Sequence, residues 1–138
     1  MRAARRRSSW LALALGAAAS AAIAHHSFAM FDQARLIKLT GKVKELQWTN
    51  PHAFLYVDVA DPGAVIEWHI ELNSPNNLRR QGWDPKRIKV GEPITVEINP
   101  LRDGTHGGLF VSATLADGSV LGEPGGRGAI NVPRPEGP

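Results

Sequence analysis

Apolar residues return at every second position through most of residues 36–121, and that period constrains the fold more than any other feature. In Val65–Leu72, Ile66, Trp68, Ile70 and Leu72 share one face, while Glu67, His69 and Glu71 share the other. A period of two belongs to a strand with one buried face, and no helix satisfies it. The same rhythm predicts a long first strand over Leu36–Trp48 and a second over Ala53–Val59, with Leu55, Val57 and Val59 inward. It predicts a fourth over Ile94–Asn99, with Ile94, Val96 and Ile98 inward, and a fifth over Leu109–Leu115. Within the first strand, Leu39, Gly41 and Val43 keep one phase, and Leu46 and Trp48 keep the other. One extra residue must absorb that shift, so a bulge is expected near Lys44-Glu45. Thr49-Asn50-Pro51-His52, Asp61-Pro62-Gly63 and Asp117-Gly118 supply turn chemistry, the last leading into a short Val120-Leu121.

The rhythm breaks once. Ser74 suits a helix N-cap, Pro75 the first helical position and Gly82 the stop, which predicts a short helix over Asn76–Gln81 and a further turn in Trp83–Ile88. Three strands, a helix and two strands is the order of an OB-fold. The expected class is therefore mostly β, a small OB-fold-like five-stranded barrel with one short helix between strands 3 and 4. An open β-sandwich or another small barrel is the alternative.

Location is written at the N-terminus. Arg2, Arg5, Arg6 and Arg7 precede an apolar run from Trp10 to about Ala19, and Ala22-Ile23-Ala24 has the A-x-A cleavage pattern. Residues 1–24 thus read as a signal peptide, and the mature chain is expected in the periplasm or secreted. The run falls short of the roughly 20 apolar residues that span a membrane, and no membrane span is expected in the mature chain. Arg6-Arg7 permits twin-arginine export, although the flanking residues fit general secretion better. Four of the 16 basic residues lie in the signal and none of the 13 acidic ones do, which leaves 12 against 13. A chain without basic surplus is a poor match for phosphate polyanions, so nucleic acid is not an expected partner. The absence of cysteine excludes disulfides and thiolate metal sites. Residues 25–121 form one domain in this reading, and 122–138 a disordered tail rich in Gly and Pro.

Several motifs resemble one family. His25-His26-Ser27-Phe28 after the signal, Phe31-Asp32, Leu39-x-Gly41-x-Val43, Trp48-Thr49-Asn50-Pro51-His52-Ala53, Asn73-Ser74-Pro75-Asn76 and Gln81-Gly82-Trp83 are similar to a group of small exported bacterial proteins catalogued as domain of unknown function 6152. The resemblance covers nearly the whole mature chain except the tail. It implies an extracytoplasmic protein and carries over no reaction and no catalytic residue.

OB-folds bind ligands on the outer face of strands 2 and 3, between the strand 1–2 and strand 4–5 loops. That plan selects Trp48, Asn50, Phe54, Tyr56 and His69 as ligand-binding candidates, with Tyr56 opposite His69 if Val57 faces Trp68. The histidines suggest a second chemistry. After cleavage His25 is residue one, and its α-amine and imidazole can chelate one ion, with His26 adding an imidazole. Cleavage one residue earlier places His26 third, another arrangement suited to Cu(II). Nitrogen-rich sites favour Cu(II), and His52 and His106 from the loops, or the Met30 thioether, could complete such a site. The plainer reading gives His52 a turn-capping role, pairs His69 with Glu67 or Glu71, leaves His106 in a polar loop, and makes Phe28, Met30 and Phe31 a hydrophobic staple. Trp48, Trp68 and Trp83 read most simply as core or barrel-end plugs. Since no Gly-x-Ser-x-Gly, Ser-x-x-Lys or His-Glu-x-x-His occurs, the chain is read as a non-catalytic module that binds an unknown protein or small ligand, with copper as the candidate cofactor. A copper redox enzyme built on the N-terminal histidines and a structural subunit of a larger extracytoplasmic complex are the alternatives.

Overall fold

The computed structural model describes residues 28–126. The expected signal peptide 1–24, His25, His26 and the part of the expected tail beyond Gly126 lie outside the described residues. The barrel belongs to the compact unit that begins at Phe31.

In chain order the elements are β1 (Ile37–Gln47), β2 (Phe54–Asp61), β3 (Ala64–Glu71), α1 (Pro75–Arg80), a 3-10 turn (Pro85–Arg87), β4 (Pro93–Pro100), β5 (Gly107–Thr114) and β6 (Val120–Gly122). The sheet runs β3-β2-β1-β4-β5-β6, and a β3–β5 pairing closes the first five strands into a barrel. All neighbours are antiparallel except β3 and β5, which run parallel through His69, Ile70 and Glu71. This is the OB-fold-like, mostly β barrel that the strand order implies, with its helix between β3 and β4 and a short β6 added along β5.

β1 makes closure possible. Its register with β2 steps from Val43↔Val57 to Glu45↔Tyr56, leaving Lys44 as the bulged residue. The extra residue bends the strand, so its first half pairs with β4 and its second half with β2. Both phases of apolar residues then point inward, as the alternation requires. Gly41 sits where the strands approach most closely; a Cβ there would run into the Asp58 carbonyl. A second register shift, between Glu97 and Ile98 on the β4–β5 ladder, leaves Val111 extra on β5.

The interior is filled by Leu55, Val57, Ile70, Val96, Ile98 and Phe110, all fully buried. Each such side chain contributes about 1.5–3 kcal/mol when taken from water. Leu78 from α1 and Trp83 join this cluster, and the Trp83 ring meets Phe110 edge-on at 5.0 Å. α1 starts where its caps dictate. The Ser74 hydroxyl accepts from Asn77 N at 3.4 Å, Pro75 opens the helix, and Gly82 follows it with φ +87°. Phe31 is buried and bridges to Leu101, fixing the chain just before β1. Among the described residues no helix is long and apolar enough to cross a membrane.

Candidate functional site

β2 and β3 pair with Val57 opposite Trp68, so their outward residues meet as Phe54↔Glu71, Tyr56↔His69 and Asp58↔Glu67. The partners lock together. The Tyr56 and His69 rings are 4.8 Å apart in an edge contact, and the Tyr56 hydroxyl donates to Gln47 Oε1 at 3.2 Å. His69 Nε2 donates to Glu67 Oε1 at 2.6 Å, and Lys44, raised by the bulge, bonds the other oxygen of Glu67. The Lys44 hydrogen bond, then that of His69, holds the Glu67 carboxyl below its ordinary range, and Glu67 in turn raises Lys44. Glu67 is therefore an ionised acceptor at neutral pH, suited to holding a donor or cation and unsuited to donating a proton.

The β1–β2 loop brings His52 onto the same face. Ala53 N donates to Asn73 O at 3.2 Å and Leu72 N to Ala53 O at 2.9 Å, which ties the end of the loop beside the end of β3. His52 Nδ1 then donates to Glu71 Oε1 at 2.6 Å, with 30% of the histidine side chain and 14% of the glutamate side chain exposed. A carboxylate on one imidazole nitrogen fixes the ring, the support common around metal-ligating histidines.

The remaining candidates go elsewhere. The His106 ring packs edge-on against Trp68 at 5.1 Å, and Trp68 is an inward residue packed on the core. The His106 carbonyl accepts from His69 N at 3.0 Å. His106 thus lies across the ladder from His52, because adjacent positions along a strand point to opposite faces. Trp48 is half-buried against the core, with the Arg79 guanidinium 5.9 Å from its ring centroid. Its indole Nε1 is buried with no hydrogen-bond partner among the described residues. Asn50 is exposed in the loop, before a cis peptide to Pro51. Met30 is 47% exposed. Among the described residues no group of three or more His, Cys, Asp or Glu side chains is placed to hold a metal ion. The structure therefore gathers Phe54, Tyr56, His69 and His52 around Glu67 and Glu71, and leaves Trp48, Asn50 and His106 outside that group.

Sequence reasoning missed the role of Lys44. Its signal was present in the bulge, since two consecutive exposed residues, Lys44 and Glu45, mark where a strand presents an extra side chain. It also missed Arg79 on Trp48, for which the sequence holds no local cue.

A family model described as a family of unknown function (DUF6152) matches residues 13–111. The chain belongs to this family. The match spans β1 through β4 and most of β5, and so includes every residue of the β2–β3 face and the Trp48–Ala53 motif. No curated protein matches the chain.

Proposed function

We propose that this chain is a non-catalytic, extracytoplasmic binding module that takes a partner or ligand on the outer face of β2 and β3. One observation carries the reading: Phe54 and Tyr56 stand half-buried on that face, between two histidine–glutamate pairs, where OB-folds carry their ligands. A solvated face needs no such ordered arrangement. The signal-like residues 1–24 support the extracytoplasmic part. The test is to isolate processed protein natively from an exporting host, as wild type and as Phe54→Ala/Tyr56→Ala. The wild type should bring down a component that the variant lacks at equal melting temperature. Equal recovery by both would contradict the reading.

The His52–Glu71 pair favours a second, compatible reading, in which the chain binds Cu(II). Glu71 holds Nδ1 of His52, the carboxylate support common to metal-ligating histidines. Copper titration of protein whose first residue is His25 should show tight one-to-one binding with a nitrogen-rich spectrum. His25→Ala should abolish it and His52→Ala should weaken it. Weak binding indifferent to both substitutions removes copper from the account.

A further inference from the structure

β3 is a sealed strand along only part of its length. Its ladder with β5 covers His69, Ile70 and Glu71, and β6 occupies the next stretch of β5 at Ser112–Thr114. Because β3 and β5 run parallel, Ala64 through Trp68 precede this ladder and β6 lies beyond its other end; they pair with β2 on one side and with no strand among the described residues on the other, where only the His106 ring meets Trp68. The orientation of the free groups follows from His69, whose N–H points away from β2 to the His106 carbonyl. Backbone groups alternate along an antiparallel strand, so Glu67 and Val65 direct their N–H and C=O the same way, into the open. Val65 is 68% exposed, and no bulge or proline interrupts this stretch. Such an edge is a template for another strand.

The face beside the edge has a sign. Glu45, Asp58, Glu67 and Glu71 outnumber Lys38, Lys42 and Lys44 across β1, β2 and β3, and Asp61 stands exposed at the end of β2. A strand added along Ala64–Trp68 would present alternate side chains to this acidic surface.

We propose that the partner is an extended peptide segment with basic residues at alternate positions, which adds as a strand to the free edge Ala64–Trp68. Main-chain bonds to Val65 and Glu67 supply affinity, and the carboxylates of the outer face select for basic side chains. This inference rests on the reading of the β2–β3 face as the binding surface.

The experiment uses the processed full chain and two synthetic peptides, one alternating Lys and Val and the other Glu and Val. Amide hydrogen exchange at Val65 and Glu67 is read by NMR. The Lys peptide should slow exchange at both amides and the Glu peptide should not, a measurement that needs no substitution. Val65→Pro removes one outward N–H and leaves the bonds to β2, a position where proline is tolerated. It should weaken the Lys peptide by about tenfold, as expected for one lost backbone bond and a ring in the partner's path, with an unchanged melting temperature. Binding that ignores Val65→Pro but disappears in Tyr56→Ala overturns strand addition and leaves the face reading intact. Binding that ignores both substitutions overturns both. Failure of the Lys peptide to bind or to protect either amide overturns strand addition alone.

Discussion

β5 and β3 are neighbours in the barrel wall, yet burial treats them oppositely. From Gly107 to Ala113 every residue of β5 is buried, whereas Ile70 alone is buried in β3. β5 has strands along both edges, its inward Phe110 and Ala113 join the core, and the segment after β6 lies against it. There Glu123 N donates to Val111 O at 3.3 Å, and Gly125 N donates to Glu97 Oε2 at 2.8 Å on the adjoining β4. These bonds pin the described start of the expected tail. β3 keeps its inner face for the core and leaves its outer face and half of one edge to solvent. A barrel this small closes with one wall and leaves the other open to solvent.

That contrast can be broken first by core truncation. Phe110→Ala should cost about 3–5 kcal/mol in urea denaturation, while His69→Ala, on the open wall, should stay within about 0.5 kcal/mol of wild type. Similar costs at both sites would dissolve the distinction. Gly108→Ala should come next, at about 1–3 kcal/mol, because a Cβ there would lie 2.6 Å from the Asn99 carbonyl oxygen and 2.7 Å from Ile98 Cδ1. A neutral result would mean that β5 is packed less tightly than its burial shows.

The tail contact gives a pH test. Glu97 accepts from Gly125 N and from Ser112 Oγ, and these bonds, the Gly125 bond first, hold its carboxyl below the ordinary 4.5. A depressed carboxylate stabilises the fold fully above that ordinary value and loses its contribution as pH falls through the folded one. Protection of the Gly125 amide, corrected for intrinsic exchange, should hold above about pH 4.5 and drop on further acidification. In Glu97→Gln the loss should be present at neutral pH. The smallest effect is expected at Trp48→Phe. An unpartnered buried N–H costs about 1–3 kcal/mol, so removing it should leave stability unchanged or slightly higher. A clear loss would reveal a partner for the indole.

Much of the barrel was legible because its strands alternate cleanly and its helix is punctuated by Ser74, Pro75 and Gly82. The β1 bulge showed as a change of phase. The β5 bulge did not, since Leu109-Phe110-Val111 is apolar throughout and an inserted residue leaves no mark on a uniform run. Register likewise placed Tyr56 beside His69 from the alternation alone. His106 was harder to place. A histidine in a glycine-rich loop can turn to either side of the ladder, and Trp68 decides which. The bulge marks Lys44 as an extra outward side chain but not its partner Glu67, and the contact of Arg79 with Trp48 joins distant elements and has no local signature.

The most direct test of the central claim is site-specific photocrosslinking in an exporting host. A benzophenone side chain would be placed at Tyr56 on the β2–β3 face and, in a second protein, at Thr40 on the outward side of β1, beside β4. The account predicts one discrete adduct from position 56 and none from position 40. Adducts of equal yield from both positions, or adducts from position 40 alone, would contradict it.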